Sequence, residues 1–361
     1  MNSRDSEFVK GLFLAKGYAL TESPEEAGVI LFNTCSVREH AEQRAVSNMG
    51  LLMKKYKGRI YGIIGCMAQA LKDKLFLRLP GLDIVCGTGE IASLPELVLQ
   101  AANGKVEATK NVNDSLPELN LEYREDIKHS YVSIMRGCNN FCSYCVVPYV
   151  RGRERSRDPD DIIREVELLV QKGITDITLL GQNVNSYRHD TGHRTRGTNR
   201  EVYGFVDLLT DINRIGAVGS IKFVTSHPKD AKSELFRALR DLEKVVKHLH
   251  LPLQSGSDRI LKLMNRGYTI KQYLRLVEEA RKSVPGLRLS TDIIVGFPTE
   301  RENDFNDTLT AMKSVKFDQA YIFKYSPRPG TKAAGLKDDV PVDTKKRRHK
   351  ILLDLQKKKF E

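Results

Sequence analysis

Nowhere does the chain carry an unbroken run of about 18 apolar residues, so it offers no ordinary membrane-spanning helix. Its first residues, Met1-Asn-Ser-Arg-Asp, lack the apolar core of a secretory leader. Cysteine is scarce, with six among 361 residues. Without a sign of secretion these six read as metal ligands or free thiols rather than cross-links. A structural zinc site is short of ligands as well, because no histidine or further cysteine stands near Cys145 to complete a tetrahedron. What remains reads as a cytoplasmic protein with no membrane partner and room for about two domains, and a monomer is expected. Positive charge is in excess: 58 Lys and Arg against 46 Asp and Glu give +12. A pI near 9.3 favours a polyanionic partner, nucleic acid first.

One stretch organises the rest. In Arg136-Gly-Cys138-Asn-Asn-Phe-Cys142-Ser-Tyr144-Cys145 three cysteines are separated by three and then two residues, and Arg151, Arg153, Arg155 and Arg157 follow at once. A tight loop of three thiolates can hold three irons of an iron-sulfur cube and leave the fourth open to chemistry.

The residues before this loop alternate apolar strands with amphipathic helices. Ala27–Phe32 reads as a buried strand ending at Asn33-Thr-Cys35, and Ser36-Val-Arg-Glu39 as a capping box for a helix carrying Ala41, Ala45 and Met49. Arg59–Ile64 is a second strand, turning at Gly65-Cys66; a third, Leu82–Val85, ends in Cys86-Gly-Thr-Gly89. Cys35, Cys66 and Cys86 therefore fall at the carboxyl ends of strands in a small doubly wound sheet, the edge where such sheets bind ligands. Cys35 and Cys66 are candidates for a second metal site. The competing reading is an ordinary small buried residue at each. The predicted divisions are a domain over 1–102, a polar linker over 103–127, a second domain over 128–340 and a terminal helix over 341–361.

In the second domain six strand-then-helix units follow in succession. Their strands read as Ser130–Met135, Asp176–Leu180, Ile221–Thr225, His248–Leu253, Leu287–Val295 and Ala320–Tyr325. Asp158-Pro159 caps a helix with Ile162, Ile163, Val166, Leu169 and Val170 on one face. Six such units predict a partial parallel α/β barrel, whose active site would be built from loops at the strands' carboxyl ends. The polar loops gather there: the cysteine loop, Gly181-Gln182-Asn183, Ser226-His227-Pro228, Gln254-Ser255-Gly-Ser257-Asp258, Gly296-Phe-Pro298 and Ser326-Pro-Arg328-Pro. His227 is read as a lining residue. The polar stretch Arg188–Arg200 reads as a loop over the same rim that could meet phosphate. The basic run Lys345–Lys350 reads as a solvated helix surface.

With these motifs in place, the cysteine loop resembles the signature of radical S-adenosylmethionine enzymes. Arg-Gly-Cys-Asn-Asn-Phe-Cys-Ser-Tyr-Cys-Val-Val-Pro, Leu-Leu-Gly-Gln-Asn-Val-Asn-Ser-Tyr, His-Leu-Pro-Leu-Gln-Ser-Gly-Ser-Asp and Tyr-Ser-Pro-Arg-Pro-Gly-Thr resemble its methylthiotransferase branch, and within it the MiaB-type enzymes that act on tRNA. The ribosomal-protein branch differs at these places. The resemblance spans essentially the whole chain. It implies a Rossmann-like first domain with an auxiliary 4Fe-4S cluster, and a TIM-type partial barrel in which Cys138, Cys142 and Cys145 hold a second 4Fe-4S cluster that binds S-adenosylmethionine. It further implies a 5'-deoxyadenosyl radical that takes hydrogen from carbon 2 of an isopentenylated adenosine beside the tRNA anticodon, with an electron donor such as flavodoxin or ferredoxin. On this reading Tyr144, Gln182, Asn183, Ser226, Gln254 and Asp292 hold the cofactor, and Arg151, Arg153, Arg155 and Arg157 face the RNA.

Two departures accompany it. The family holds the auxiliary cluster with three cysteines, the first in a Gly-Cys-Gln-Met-Asn stretch, whereas this sequence starts at Met1-Asn2; only Cys35 and Cys66 match. The family also continues into a β-rich TRAM domain beyond the terminal helix. The expectation for these residues alone is cleavage of S-adenosylmethionine with poor sulfur insertion. Alternatives are a methylthiotransferase for another modified adenosine or a ribosomal protein, and a metal-stapled RNA-binding protein without catalysis.

Overall fold

The structure, a computed structural model, describes residues 1–35, 39–110, 123–190 and 202–357. It divides into two compact units. The first comprises Met1–Asp126 with Arg136–Cys138 and Val146–Glu154; the second comprises Ile127–Met135, Asn139–Cys145 and Arg155–Glu361.

The first unit is built on a four-stranded parallel sheet whose spatial order follows the chain: Val29–Thr34, Ile60–Gly65, Ile84–Cys86 and Val106–Ala108. Val29 lies opposite Ile60 and Gly62 opposite Ile84. Successive side chains of a strand point to opposite faces, so the continuous apolar run Ile60–Ile64 requires cover on both. Ile64, Ile84 and Cys86 pack with Phe8, Val9 and Phe13 of the helix Asn2–Ala15 and with Leu94, Leu97 and Val98 of the helix Leu94–Ala101. Ile30, Tyr61, Ile63 and Val85 pack on the other face with Met49, Met67, Leu71 and Leu75. Each such burial contributes about 1.5–3 kcal/mol before entropy is counted. Glycine at 62 is required by the packing, since a Cβ there would lie 2.5 Å from Leu31 Cδ2.

The fourth strand falls inside the stretch read from sequence as a linker. It spans only three residues, and Val106-Glu107-Ala108 is too short for its alternation to stand out. The proposed capping box at 36–39 lies largely outside the described residues, as does the linker over 111–122; a helix does run from Glu39 to Lys55.

In the second unit the six expected strands are all present, with ends shifted by up to three residues. His129–Ser133, Asp176–Leu180 and Ser220–Phe223 form one parallel array with the second strand in the middle. His248–His250, Arg288–Val295 and Gln319–Lys324 form another, in chain order. A parallel bridge between Ile221 and Val245 connects the third strand with the chain entering the fourth. Among the described residues no pairing joins the sixth strand to the first, so the barrel is partial. Its interior is one apolar cluster that includes Val132, Leu179, Phe223, Leu249, Ile293 and Ile322. The helix Pro159–Gln171 starts where its residues direct: Asp158 Oδ1 accepts from the Asp160 amide at 2.8 Å, and Ile162, Ile163, Val166 and Leu169 are buried.

The terminal helix, Val342–Lys357, corrects the reading of its basic run as wholly solvated. Arg348 is buried and pairs with Glu300 at 2.7 Å, and Lys345 pairs with Asp338 at 2.6 Å. The polar loop over Arg188–Arg200 lies outside the described residues from 191 onward; its flanks, Arg188–Asp190 and Val202–Gly204, pair as an antiparallel hairpin. Among the described residues no helix is long and apolar enough to cross a membrane.

Candidate metal and cofactor centre

Among the strand-end cysteines of the first unit Cys35 is half-buried, and Cys66 and Cys86 have different surroundings. Cys66 begins the helix Cys66–Leu71 immediately after Gly65, whose φ of +90° and whose neighbour Asn33 Oδ1, 2.6 Å from where a Cβ would stand, leave room for glycine alone. Cys66 Sγ accepts a hydrogen bond from Arg151 Nε at 3.3 Å. Nη2 of the same guanidinium donates to Asp5 Oδ2 at 2.7 Å and Asn2 Oδ1 at 2.9 Å. Asn2 is tied in turn to Asn33 at the end of the first strand, which donates to the Asn2 carbonyl at 2.7 Å. Burial pushes the Cys66 thiol up, against the opposing pull of Arg151. Burial would also raise Asp5, but the Arg151 charge prevails and holds its carboxyl below the usual carboxylate range.

Cys86 is fully buried among apolar side chains, its sulfur 3.5 Å from the Gly87 carbonyl oxygen, and burial drives its thiol far upward. It is a core residue, as a free cysteine at a strand end usually is.

The cysteine loop is fixed at both flanks by backbone geometry. In the first unit the Cys138 amide donates to the Gly152 carbonyl at 3.2 Å, and Gly137 has φ +75° with the Arg153 carbonyl oxygen only 2.0 Å from where a Cβ would stand. In the second unit Asn265 Nδ2 donates to the carbonyls of Asn140 and Phe141 at 3.1 and 3.0 Å. The Ser143 amide donates to Met264 O at 3.0 Å, and Ser143 O accepts from the Ala333 amide at 2.8 Å. The Cys145 amide closes a turn on Cys142 O at 2.9 Å. Cys142 is buried, and its sulfur accepts from Arg266 Nη1 at 3.3 Å. Arg266 also reaches Tyr144 OH at 3.4 Å, and Tyr144 is half-buried.

At the carboxyl ends of the barrel strands the polar side chains are mostly spoken for. Ser226 Oγ donates to His250 O at 2.7 Å, and His250 Nε2 lies 3.2 Å from Asp292 Oδ2. Gln254 takes φ +70° and bonds through its backbone to Asp292 and Ile294. Asn183 donates to Asp230 at 2.7 Å, which leaves its buried Oδ1 without a protein partner among the described residues. His227 Nδ1 accepts from the Lys229 amide, while its buried Nε2 has no such partner. Burial first, then Arg266 and Lys229, lower the His227 pKa to about 2, so the ring is neutral. Gln182 is half-buried on the same rim.

The four arginines expected to face RNA separate into two pairs. Arg151 is 5% exposed and engaged with Asp5 and Cys66, so it is not a surface phosphate contact. Arg157 pairs with the buried Glu165 at 2.7 Å and donates to Ser133 O at 2.6 Å. Arg153 and Arg155 are exposed. Sequence reasoning missed Asp5 and Arg266. An aspartate in the first turn of a helix and an arginine after Met264-Asn265 both look like surface residues when no partner is known.

Comparison with known proteins places this geometry. The radical SAM superfamily model matches residues 132–312, half of the chain, and the model of Uncharacterized protein family UPF0004 matches residues 1–87. The structure is similar to TsrM, a radical S-adenosylmethionine methyltransferase from Kitasatospora setae, with TM-score 0.60 at 14% identity over 92% of this chain and 67% of that one. At that identity the likeness concerns the fold alone. The chain is 47% identical to a tRNA-2-methylthio-N(6)-dimethylallyladenosine synthase of Caldicellulosiruptor saccharolyticus over 98% of its length and 75% of the relative's. It is 44% identical to one of Dictyoglomus thermophilum over 99% of its length and 80% of the relative's. Fold and cysteine motif thus define a radical S-adenosylmethionine enzyme, a class that works with a 4Fe-4S cluster and S-adenosylmethionine. Within that class the chain belongs to the tRNA-2-methylthio-N(6)-dimethylallyladenosine synthase family of methylthiotransferases.

Proposed function

We propose that this enzyme adds a methylthio group to carbon 2 of an isopentenylated adenosine in a tRNA anticodon loop. The relatives' shared name supports the substrate. The observation that carries the chemistry is the cysteine loop, with a buried guanidinium already donating to Cys142. Cys138, Cys142 and Cys145 would hold the cluster that takes S-adenosylmethionine, and Cys35 and Cys66 an auxiliary one. The donor set fits in kind: all five are free cysteines, and thiolates are the donors that hold iron-sulfur clusters.

When bound, the cluster and S-adenosylmethionine supply reductive cleavage of a sulfonium bond and with it the means to abstract hydrogen; the protein positions the reacting atoms. Cys66 would keep its orientation through Arg151, and Cys142 through Arg266. The buried Asn183 Oδ1 and His227 Nε2 support a polar ligand at the rim, since unpartnered buried polar atoms are costly unless a ligand or water satisfies them. Tyr144, Gln182, Ser226, Gln254 and Asp292 would line that ligand, the side chains of Tyr144, Ser226 and Asp292 already bonded to their neighbours. Arg153 and Arg155 would meet RNA phosphates, in keeping with the net charge of +12. An external low-potential electron donor and a cytoplasmic, monomeric setting complete the proposal.

The test is mass spectrometry of tRNA nucleosides from cells with and without the gene. The expected result is isopentenylated adenosine lacking the methylthio group when the gene is absent. Unchanged tRNA with an altered ribosomal protein would replace the substrate and keep the chemistry.

A further inference from the structure

A buried charge needs a counter-charge, because stranding one in a low-dielectric interior is strongly destabilising. The buried arginines mostly obey. Arg4 pairs with Glu7 at 3.2 Å, Arg151 with Asp5 at 2.7 Å, and Arg348 with Glu300 at 2.7 Å. Arg266 does not. It is 4% exposed, yet no carboxylate among the described residues contacts it. Its Nη2 donates to Pro252 O at 3.0 Å, its Nε to Tyr268 OH at 3.1 Å, and its Nη1 to Tyr144 OH at 3.4 Å and Cys142 Sγ at 3.3 Å. The guanidinium also stands over the Tyr268 ring, 5.4 Å from its centroid. A carbonyl is neutral, and so is a tyrosine hydroxyl near neutral pH. The sulfur is the one contact that becomes an anion in function, since cysteine ligates iron as the thiolate.

We infer that Arg266 is the built-in counter-charge of the Cys142 thiolate and sets the reduction potential of the cluster held by the cysteine loop. The inference rests on the cluster reading of Cys138, Cys142 and Cys145. Hydrogen bonds and positive charge at a ligand sulfur stabilise the more negative, reduced cluster and raise its potential. Arg151 makes the same contact to Cys66 but already carries Asp5 as its anion. Its influence on an auxiliary cluster is correspondingly weaker. Arg266 is thus a positioning residue acting through Cys142.

The experiment is an EPR-monitored redox titration of the full chain, reconstituted anaerobically and without S-adenosylmethionine, in a Cys35→Ala/Cys66→Ala background so that one cluster is read. Arg266→Gln should shift the reduced-to-oxidised ratio at fixed potential about tenfold toward oxidised, which for a one-electron couple is about 59 mV. Arg266→Lys, which keeps the charge, should shift it less. An iron-loaded Arg266→Gln protein with the parental midpoint overturns the inference. So does an unchanged midpoint with weakened S-adenosylmethionine binding, which would make the substrate carboxylate the partner. If Arg266→Gln does not load iron, Arg266→Met, which removes the charge and keeps the length, is titrated in its place: a lowered midpoint supports the inference, and the parental midpoint overturns it. A parent that shows no 4Fe-4S signal after loading defeats the cluster reading instead.

Discussion

Arg151 and Cys66 are in contact, Nε to Sγ at 3.3 Å, with the same guanidinium closed on Asp5 at 2.7 Å. The pair links the residues just after the cysteine loop to the strand end that would hold an auxiliary cluster. Replacing Arg151 by leucine strands the Asp5 carboxylate in the interior, and removal of one partner of a buried pair costs about 3–5 kcal/mol. Denaturant unfolding should show a loss of that size, and the double variant Asp5→Asn/Arg151→Leu should recover a large part of it. Equal stability of wild type and Arg151→Leu would mean that the ion pair does not form.

Gly137 precedes the first cysteine of the loop and has no space for a side chain: φ is +75°, and the Arg153 carbonyl oxygen would lie 2.0 Å from a Cβ. Backbone cannot yield as a flexible side chain does. Gly137→Ala should therefore bind substantially less iron on reconstitution while the far-UV circular dichroism is retained. Full iron content in a folded Gly137→Ala protein would show that the loop tolerates the shift.

His227 gives a pH dependence of known sign. Its folded-state pKa, lowered to about 2 by burial together with Arg266 and Lys229, lies below the usual histidine value near 6.5. Below pH 6.5 the unfolded chain takes up a proton that the folded chain refuses, so stability falls as pH drops through that range. At pH 5.5 the loss from this group is about 1.4 kcal/mol relative to pH 7.5. Unfolding curves at the two pH values should differ less in His227→Asn than in wild type by that amount. An identical pH dependence in both would assign a charged state to the buried ring.

Arg153 and Arg155 are exposed, whereas Arg151 and Arg157 are engaged inside the protein. Arg153→Glu/Arg155→Glu should weaken tRNA binding and reduce the slope of log affinity against log salt by about one for each phosphate that is no longer neutralised. Binding with an unchanged salt slope would place the RNA elsewhere on the protein.

Much of this was legible in the sequence because the signals were local. The cysteine spacing, the six barrel strands and the strand-end placement of Cys35, Cys66 and Cys86 follow from periodicity and turn residues within short windows. The Val106–Ala108 strand was not legible, since three residues give too little pattern and its sheet partner is 22 positions away at Ile84. Nor were the partners of Arg151 and Arg266. An arginine's burial depends on what the fold brings to it, and Asp5 and Cys66 lie 146 and 85 positions from Arg151. The four arginines after the loop looked alike in sequence because charge alone does not tell a phosphate contact from an interior ion pair.

The central claim, that Cys138, Cys142 and Cys145 carry radical S-adenosylmethionine chemistry, is tested most directly by one assay. Iron-loaded protein is incubated anaerobically with reductant and S-adenosylmethionine, and 5'-deoxyadenosine is quantified by chromatography. The account predicts its formation by the wild type and its loss in Cys142→Ala. An iron-loaded wild type that forms none, or a Cys142→Ala variant that forms as much, would contradict it.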